Sequence, residues 1–134
     1  MSLPRFMSKH VLIVDDSLAS RNGISRLLKS FGFTTVEVED GYNAIWLLKQ
    51  CQKFDLVTLD YHMPRMDGVA VARWIRNQPR LTELPILMIT TDTSKVFEAV
   101  EIGITEFLGK PIDRESLAMT LNRMMDLNLE PEAP

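Results

Sequence analysis

The sequence holds one cysteine among 134 residues, so no disulfide can form within the chain. That residue, Cys51, follows Trp46, Leu47 and Leu48, and its setting points to a small, partly buried side chain, not to redox or nucleophilic chemistry. A basic excess is also missing: 15 Lys and Arg stand against 18 Asp and Glu, for a net charge of −3. Nucleic-acid binding normally demands a basic face, and none is written here. No apolar run approaches the roughly 20 residues of a membrane span. Met1 to Lys9 lacks the apolar core and small-residue cleavage site of a signal peptide. Residues 1–9 are therefore read as a leader or cloning remnant, with Met7 a candidate native start, and a cytoplasmic protein is expected. Internal repeats, low-complexity blocks and a linker to a second domain are missing too, which leaves one domain of common size.

What is present is an alternation. His10 to Val14 is a short run rich in branched apolar residues and predicts a strand covered on both faces. Leu18 to Phe31 sets Ile24, Leu27, Leu28 and Phe31 at helical spacing, and Gly32 stops that helix. Thr34 to Glu39 alternates with period two and predicts an edge strand. Asp40-Gly41 turns the chain into a second helix, Tyr42 to Gln52, with Ala44, Ile45, Leu48 and Cys51 on one stripe. Phe54 to Leu59 predicts a buried strand, and Gly68 to Asn77 a helix packing through Val69, Ala72, Trp74 and Ile75. Pro85 to Thr90 predicts the fourth strand, its proline tolerated at the start. Thr93 or Ser94 is the expected cap of a helix ending at Ile102, before Gly103. Thr105 to Leu108 is a short last strand, and Asp113 caps a final helix through about Leu127. The acidic, proline-containing stretch 128–134 is expected to fray. Five strand–helix units with short connections imply an α/β fold, a mainly parallel sheet wrapped by helices on both faces.

Four of these strands end in residues with chemical potential. Asp15-Asp16 follows the first, Asp60 the third, Thr90 the fourth and Lys110 the fifth. The strand ends of a parallel sheet share one edge, where open α/β folds bind their ligands. Asp60 is the most telling: a carboxylate at the lip of an apolar strand is costly to bury without a purpose. Three crowded carboxylates repel one another, and a hard cation such as Mg²⁺ relieves that conflict. Lys110 adds a mobile positive charge and Thr90 a hydroxyl donor. Together they describe a site that holds Mg²⁺ and takes a phosphoryl group onto a carboxylate. Each piece also has a plainer use. Asp16-Ser17 can cap a helix, Asp60 can end a strand, Thr90 can bond backbone, and Lys110 can be solvated surface.

The order Asp-Asp, Asp, Thr, Lys-Pro, with Met63-Pro64-Arg65-Met66-Asp67-Gly68 after Asp60, resembles a response-regulator receiver domain, most closely the single-domain, chemotaxis-type receivers. The resemblance runs from about His10 to Met125 and includes Leu84 to Ile89. It implies a flavodoxin-like, doubly wound (βα)5 fold with strand order 2-1-3-4-5, a receiver domain over 10–127 and a flexible acidic tail over 128–134. It implies Asp60 as phosphoacceptor for a sensor histidine kinase or histidine phosphotransfer protein. Asp15, Asp16, Asp60 and the backbone carbonyl of His62 would hold Mg²⁺, while Thr90 and Lys110 would bind phosphoryl oxygens. The Lys110-Pro111 bond would be cis. Thr90 and Phe107 would form a switch feeding an output surface on the fourth helix, fifth strand and fifth helix, which binds a downstream protein. That side carries Val96, Phe97, Val100, Ile104, Met119, Met124 and Met125, most of it core stripe. Such a protein is a phosphoacceptor switch, catalytic only toward its own phosphorylation and dephosphorylation, and a monomer or weak dimer. It binds neither nucleic acid nor membrane.

Two positions depart from the usual family pattern. His62 is bulky and ionisable where a small or amide side chain is commoner, and Thr91 is larger than the alanine or glycine often found after the threonine. Both are expected at the rim of the site, where they would slow hydrolysis of the acyl phosphate or be harmless variation. Two other classes fit parts of the pattern. A phosphotransferase or phosphatase with an aspartyl-phosphate intermediate would want a second acidic residue two positions past Asp60, where His62 stands. A receiver-like scaffold would be expected to have lost site residues.

Overall fold

A strand whose buried side chains are nearly all apolar has to be covered on both faces, and the first and third strands set the architecture by that rule. The computed structural model describes residues 9–50 and 53–132. Within it β1 (His10–Val14) and β3 (Leu56–Leu59) pair side by side in the sheet interior. β2 (Thr34–Val38) flanks β1, β4 (Ile86–Thr90) flanks β3, and β5 (Glu106–Gly109) closes the far edge. Every pairing is parallel and the order is 2-1-3-4-5, the flavodoxin-like arrangement that the resemblance implied. The chain reverses its winding between β1 and β3, which creates a crevice at their C-terminal ends.

Five helices cover the sheet: α1 (Leu18–Ser30), α2 (Gly41–Lys49), α3 (Gly68–Arg76), α4 (Val96–Ile102) and α5 (Arg114–Met125). Strand alternation divides the core in two. Val11, Ile13, Leu56, Leu87 and Ile89 face α1 and α5, meeting Ile24, Leu28, Leu117 and Leu121. Leu12, Val14, Val57, Leu59, Ile86 and Met88 face the other way, against Ala44, Leu48, Val69, Ala72, Ile75 and Ala99. No helix among the described residues is long and apolar enough to cross a membrane.

Capping explains most helix starts. Ser17, Asp40, Asp67 and Asp113 each accept a bond from the backbone N–H three residues on, so the acid of Asp40-Gly41 begins α2 instead of merely turning the chain. The helix before Gly103 starts differently from the expectation. Neither Thr93 nor Ser94 caps it; Asp92 caps the turn ahead of it, its Oδ1 accepting from both the amide and the hydroxyl of Ser94. A 3-10 turn over Thr93–Lys95 follows, and the α-helix proper begins only at Val96. Trp46, which the expected stripe leaves out, points outward at 61% exposure, while Ala44 and Leu48 of that stripe are buried. α2 ends at Lys49, with Gln50 as its C-cap, earlier than the expected end at Gln52. The packing of Cys51 and the role of Met7 fall outside the described residues. Fraying beyond Asn128 does not begin at once: the Asn122 side chain donates to the Leu129 carbonyl and accepts from its amide, and Leu129 packs against the α1–α5 core. A short polar segment is held there because one amide side chain satisfies both backbone groups.

Candidate functional site

The ladder hydrogen bonds run one residue past the strand ends, and that fixes the backbone of each site residue. Asp15 donates its N–H to Val38, Asp60 to Val14 and Lys110 to Thr90, at 3.2, 3.0 and 3.0 Å. Three of the four segments therefore enter the crevice on hydrogen-bonded backbone, at the sheet edge where the sequence reading put the strand ends. The Lys110-Pro111 peptide bond is cis.

Asp15 and Thr90 are each 1% exposed and Asp60 is 7% exposed, whereas Asp16 faces solvent. Lys110 Nζ lies 2.7 Å from Asp15 Oδ2 and 3.1 Å from Asp60 Oδ2, bridging the first and third strands. Asp15 is held further by the Ser17 amide on its Oδ1 and by Arg21 Nη1 on its carbonyl. Carboxylate oxygens of Asp15, Asp16 and Asp60 lie within 4.8 Å of one another. Burial pushes the Asp60 carboxyl above its usual range; the Lys110 charge opposes this, Asp15 adds to it, and the Thr90 hydroxyl lowers it slightly. Burial also works against the Lys110 ammonium, but its bonds and charge contacts with Asp15 and Asp60 prevail and raise its pKa.

The loop after Asp60 folds tightly over the site. Gly68 donates to the Tyr61 carbonyl at 2.8 Å, and a Cβ there would run into the carbonyl oxygen of Asp60. Glycine is needed at that position for close approach alone. Arg65 adopts a left-handed φ of 69°, donates to Asp40 Oδ2 and lies over the Tyr42 ring.

A match to the response regulator receiver domain over residues 11–122 accounts for this arrangement. The chain belongs to the receiver family. It is 34% identical to the chemotaxis protein CheY of Pseudomonas aeruginosa over 119 residues, which is 87% of this receiver and 95% of that protein. The structure of Vibrio cholerae CheY4 superposes with a TM-score of 0.82 at 35% identity, covering 88% of this receiver and 99% of that chain. The receiver domain of the sensor histidine kinase PA1611 from P. aeruginosa also gives 0.82, at 26% identity over 90% and 99% of the two chains. That structure has a magnesium ion coordinated in its active-site cleft.

The donor set of this receiver suits the same ion. Its clustered ligands are all carboxylate oxygens, the hard donors that Mg²⁺ prefers, and the single Lys110 charge stands among three acids. The His62 ring is not part of the cluster. It is exposed, and its Nε2 lies 2.6 Å from Asp92 Oδ2, joining the loops that follow β3 and β4. Its ring also meets the edge of buried Tyr61. Asp92, bonded first by Ser94 and then by His62, has its carboxyl lowered to about 2. Thr91 is exposed beside this pair. The sequence reading missed Asp92, although a signal existed: it stands two residues past Thr90, as His62 stands two past Asp60. It also missed Arg21, which nothing local distinguishes from other helical arginines. Phe107 is half-buried against the α2–α4 core, in register with Met88, while Thr90 pairs with Gly109 two residues on.

Proposed function

We propose that Asp60 accepts a phosphoryl group from the phosphohistidine of a sensor histidine kinase or a histidine phosphotransfer protein. The observation that carries this reading is the buried Asp60 carboxylate, held 3.1 Å from Lys110 within a cluster of two further acids. Asp15, Asp16, Asp60 and the His62 backbone carbonyl are the groups that would hold Mg²⁺. The ion, when bound, supplies charge neutralisation for the carboxylates and the transferring phosphoryl oxygens. An Asp60 oxygen attacks phosphorus; the O–P bond forms, the P–N bond breaks, and its electron pair returns to the imidazole nitrogen. Lys110, already within reach of Asp60, transfers one of its bonds to a phosphoryl oxygen. The Thr90 hydroxyl, now accepting from the Asp92 amide at 3.2 Å, donates to another. The same residues admit water for hydrolysis, so the chain promotes its own phosphorylation and dephosphorylation without turning over a separate substrate.

The new group brings roughly −1.5 to −2 charge and fresh acceptor oxygens. Movement of Thr90 toward it opens space on the sheet face that Phe107 shares, and Phe107 follows by packing alone because it has no hydroxyl. The face of α4, β5 and α5 then changes shape for a downstream protein; Phe97, Val100 and Met119 are exposed there. Incubating the chain with acetyl phosphate and Mg²⁺ tests the acceptor role. Intact mass is expected to rise by one phosphoryl group in the native chain and to stay unchanged in Asp60→Asn. Labelling of the Asn variant at the native level would refute it.

A further inference from the structure

Tyr42 and Trp46 stand one turn apart on α2, and each is more than half exposed. Lys49 continues the same stripe at the i+7 position. A tryptophan or tyrosine in water leaves a large apolar area unburied, and two in line form a patch where one alone would be ordinary surface. The stripe borders α3. A Cβ on Gly41 would run into the Val71 side chain, and Arg65, from the loop that leads into α3, lies over the Tyr42 ring. Trp74, one turn beyond Val71, is only partly buried. Charge on these helices is one-sided: residues 41–49 and 68–76 hold Lys49, Arg73 and Arg76 and no acid, in a chain of net charge −3. The acids that cap them are occupied, Asp40 by the Asn43 amide and Arg65, Asp67 by the Ala70 amide. Lys49 and Arg73 are exposed and take part in no salt bridge among the described residues. α4 lies on the other side of α3, where Arg76 reaches Gly103, and has the reverse polarity, with Glu98 and Glu101 and no base.

We infer that the α2–α3 face is a docking surface for an acidic amphipathic helix of a partner protein, separate from the face of α4, β5 and α5. The apolar stripe of such a helix covers the Tyr42 and Trp46 rings and takes them out of water. Tryptophan, tyrosine and arginine are the side chains on which interface energy concentrates. Acids flanking the partner's stripe meet Lys49, Arg65 and Arg73, which selects an acidic segment over a basic one. The form of the partner follows from the stripe itself, since side chains three and four apart make ridges that fit the grooves of a neighbouring helix. A second copy of the chain offers the acids and the exposed Phe97 of α4. That helix is seven residues long, however, and a head-to-tail contact leaves both outer ends free to add further copies. Docking at α2 and α3 does not draw on the chemistry at Asp60.

The test pans randomised phage-displayed peptides of about 16 residues, some four helical turns, against the native chain. Enriched peptides are then synthesised and titrated by fluorescence anisotropy into the native chain, Tyr42→Ala, Trp46→Ala and Lys49→Glu/Arg73→Glu. All four positions replaced are exposed or half-exposed, and thermal melts of each variant confirm folding. Enrichment of sequences with apolar residues at helical spacing flanked by Asp and Glu is expected. Trp46→Ala is expected to weaken their binding roughly thirtyfold, and the double charge reversal roughly tenfold, with added salt acting in the same direction. Absence of enrichment, or peptides that bind Trp46→Ala as tightly as the native chain, would overturn the docking surface. Single-stranded poly(U) retained by the native chain and lost by Trp46→Ala would assign the face to nucleic acid and overturn the peptide partner. Concentration-dependent oligomers in sedimentation, abolished by Trp46→Ala, would assign it to a second copy and overturn the partner as well.

Discussion

Asp60 is held in a condition that the folded chain would be more stable without. A carboxyl whose pKa rises on folding binds its proton more tightly in the native than in the unfolded state. Its destabilising effect is therefore full above the raised pKa and vanishes as pH falls below the ordinary value of 3.8. Asp60→Asn is expected to raise the melting temperature at pH 7 by about 3 °C, with a smaller gain at pH 4. Scanning calorimetry at the two pH values reads it; equal gains would mean that charge burial is not the cause. The rim belongs to the same scale. His62 and Asp92 tie together the two loops that flank the acceptor, with Thr91 beside them, so water approaches past ordered side chains. The double variant His62→Asn/Thr91→Ala is expected to shorten the acyl-phosphate lifetime roughly fivefold, about the worth of one ordering hydrogen bond. Following phosphoryl loss after donor removal decides it, and equal lifetimes would show that the rim is neutral.

At the scale of elements, the helices differ in how firmly they begin. Asp113 caps α5 through the Ser116 amide. Asp113→Ala is expected to cost about 1 kcal/mol, seen as a lower urea midpoint at unchanged slope. α4 has no side-chain cap of its own, is seven residues long and buries Ala99 alone. It is also attached to α3 by Arg76, whose Nε donates to the Gly103 carbonyl at 2.8 Å and whose guanidinium pKa is lowered by burial. A short helix with one buried side chain can shift without dismantling a core, which suits the switching role proposed for this face.

For the molecule as a whole, the metal-holding role proposed for the three acids predicts a stability that depends on cation. Mg²⁺ at ten times its dissociation constant is expected to stabilise the native chain by about 1.4 kcal/mol, and to do far less for Asp15→Asn. Melting temperature against Mg²⁺ concentration measures this. Most of the architecture was legible in the sequence because local signals agreed: branched apolar runs marked β1 and β3, and Asp113 announced α5. The start of α4 was not, since Thr93 and Ser94 look like caps until Asp92 is seen bonding Ser94. The converging acids were legible from strand ends alone. The partnership of His62 with Asp92 was not, because it depends on the relative height of two loops 30 residues apart.

The ion pair of Lys110 with Asp15 joins residues separated by 95 positions, and its pair with Asp60 spans 50. Ordering such distant segments carries a chain-closure entropy that only a completed sheet can repay. A chain released from synthesis before β5 would hold every acid of the cluster and lack the cation that organises them. The acceptor competence proposed for Asp60 is thus a property of the finished molecule, and its appearance during refolding would time the docking of the last strand.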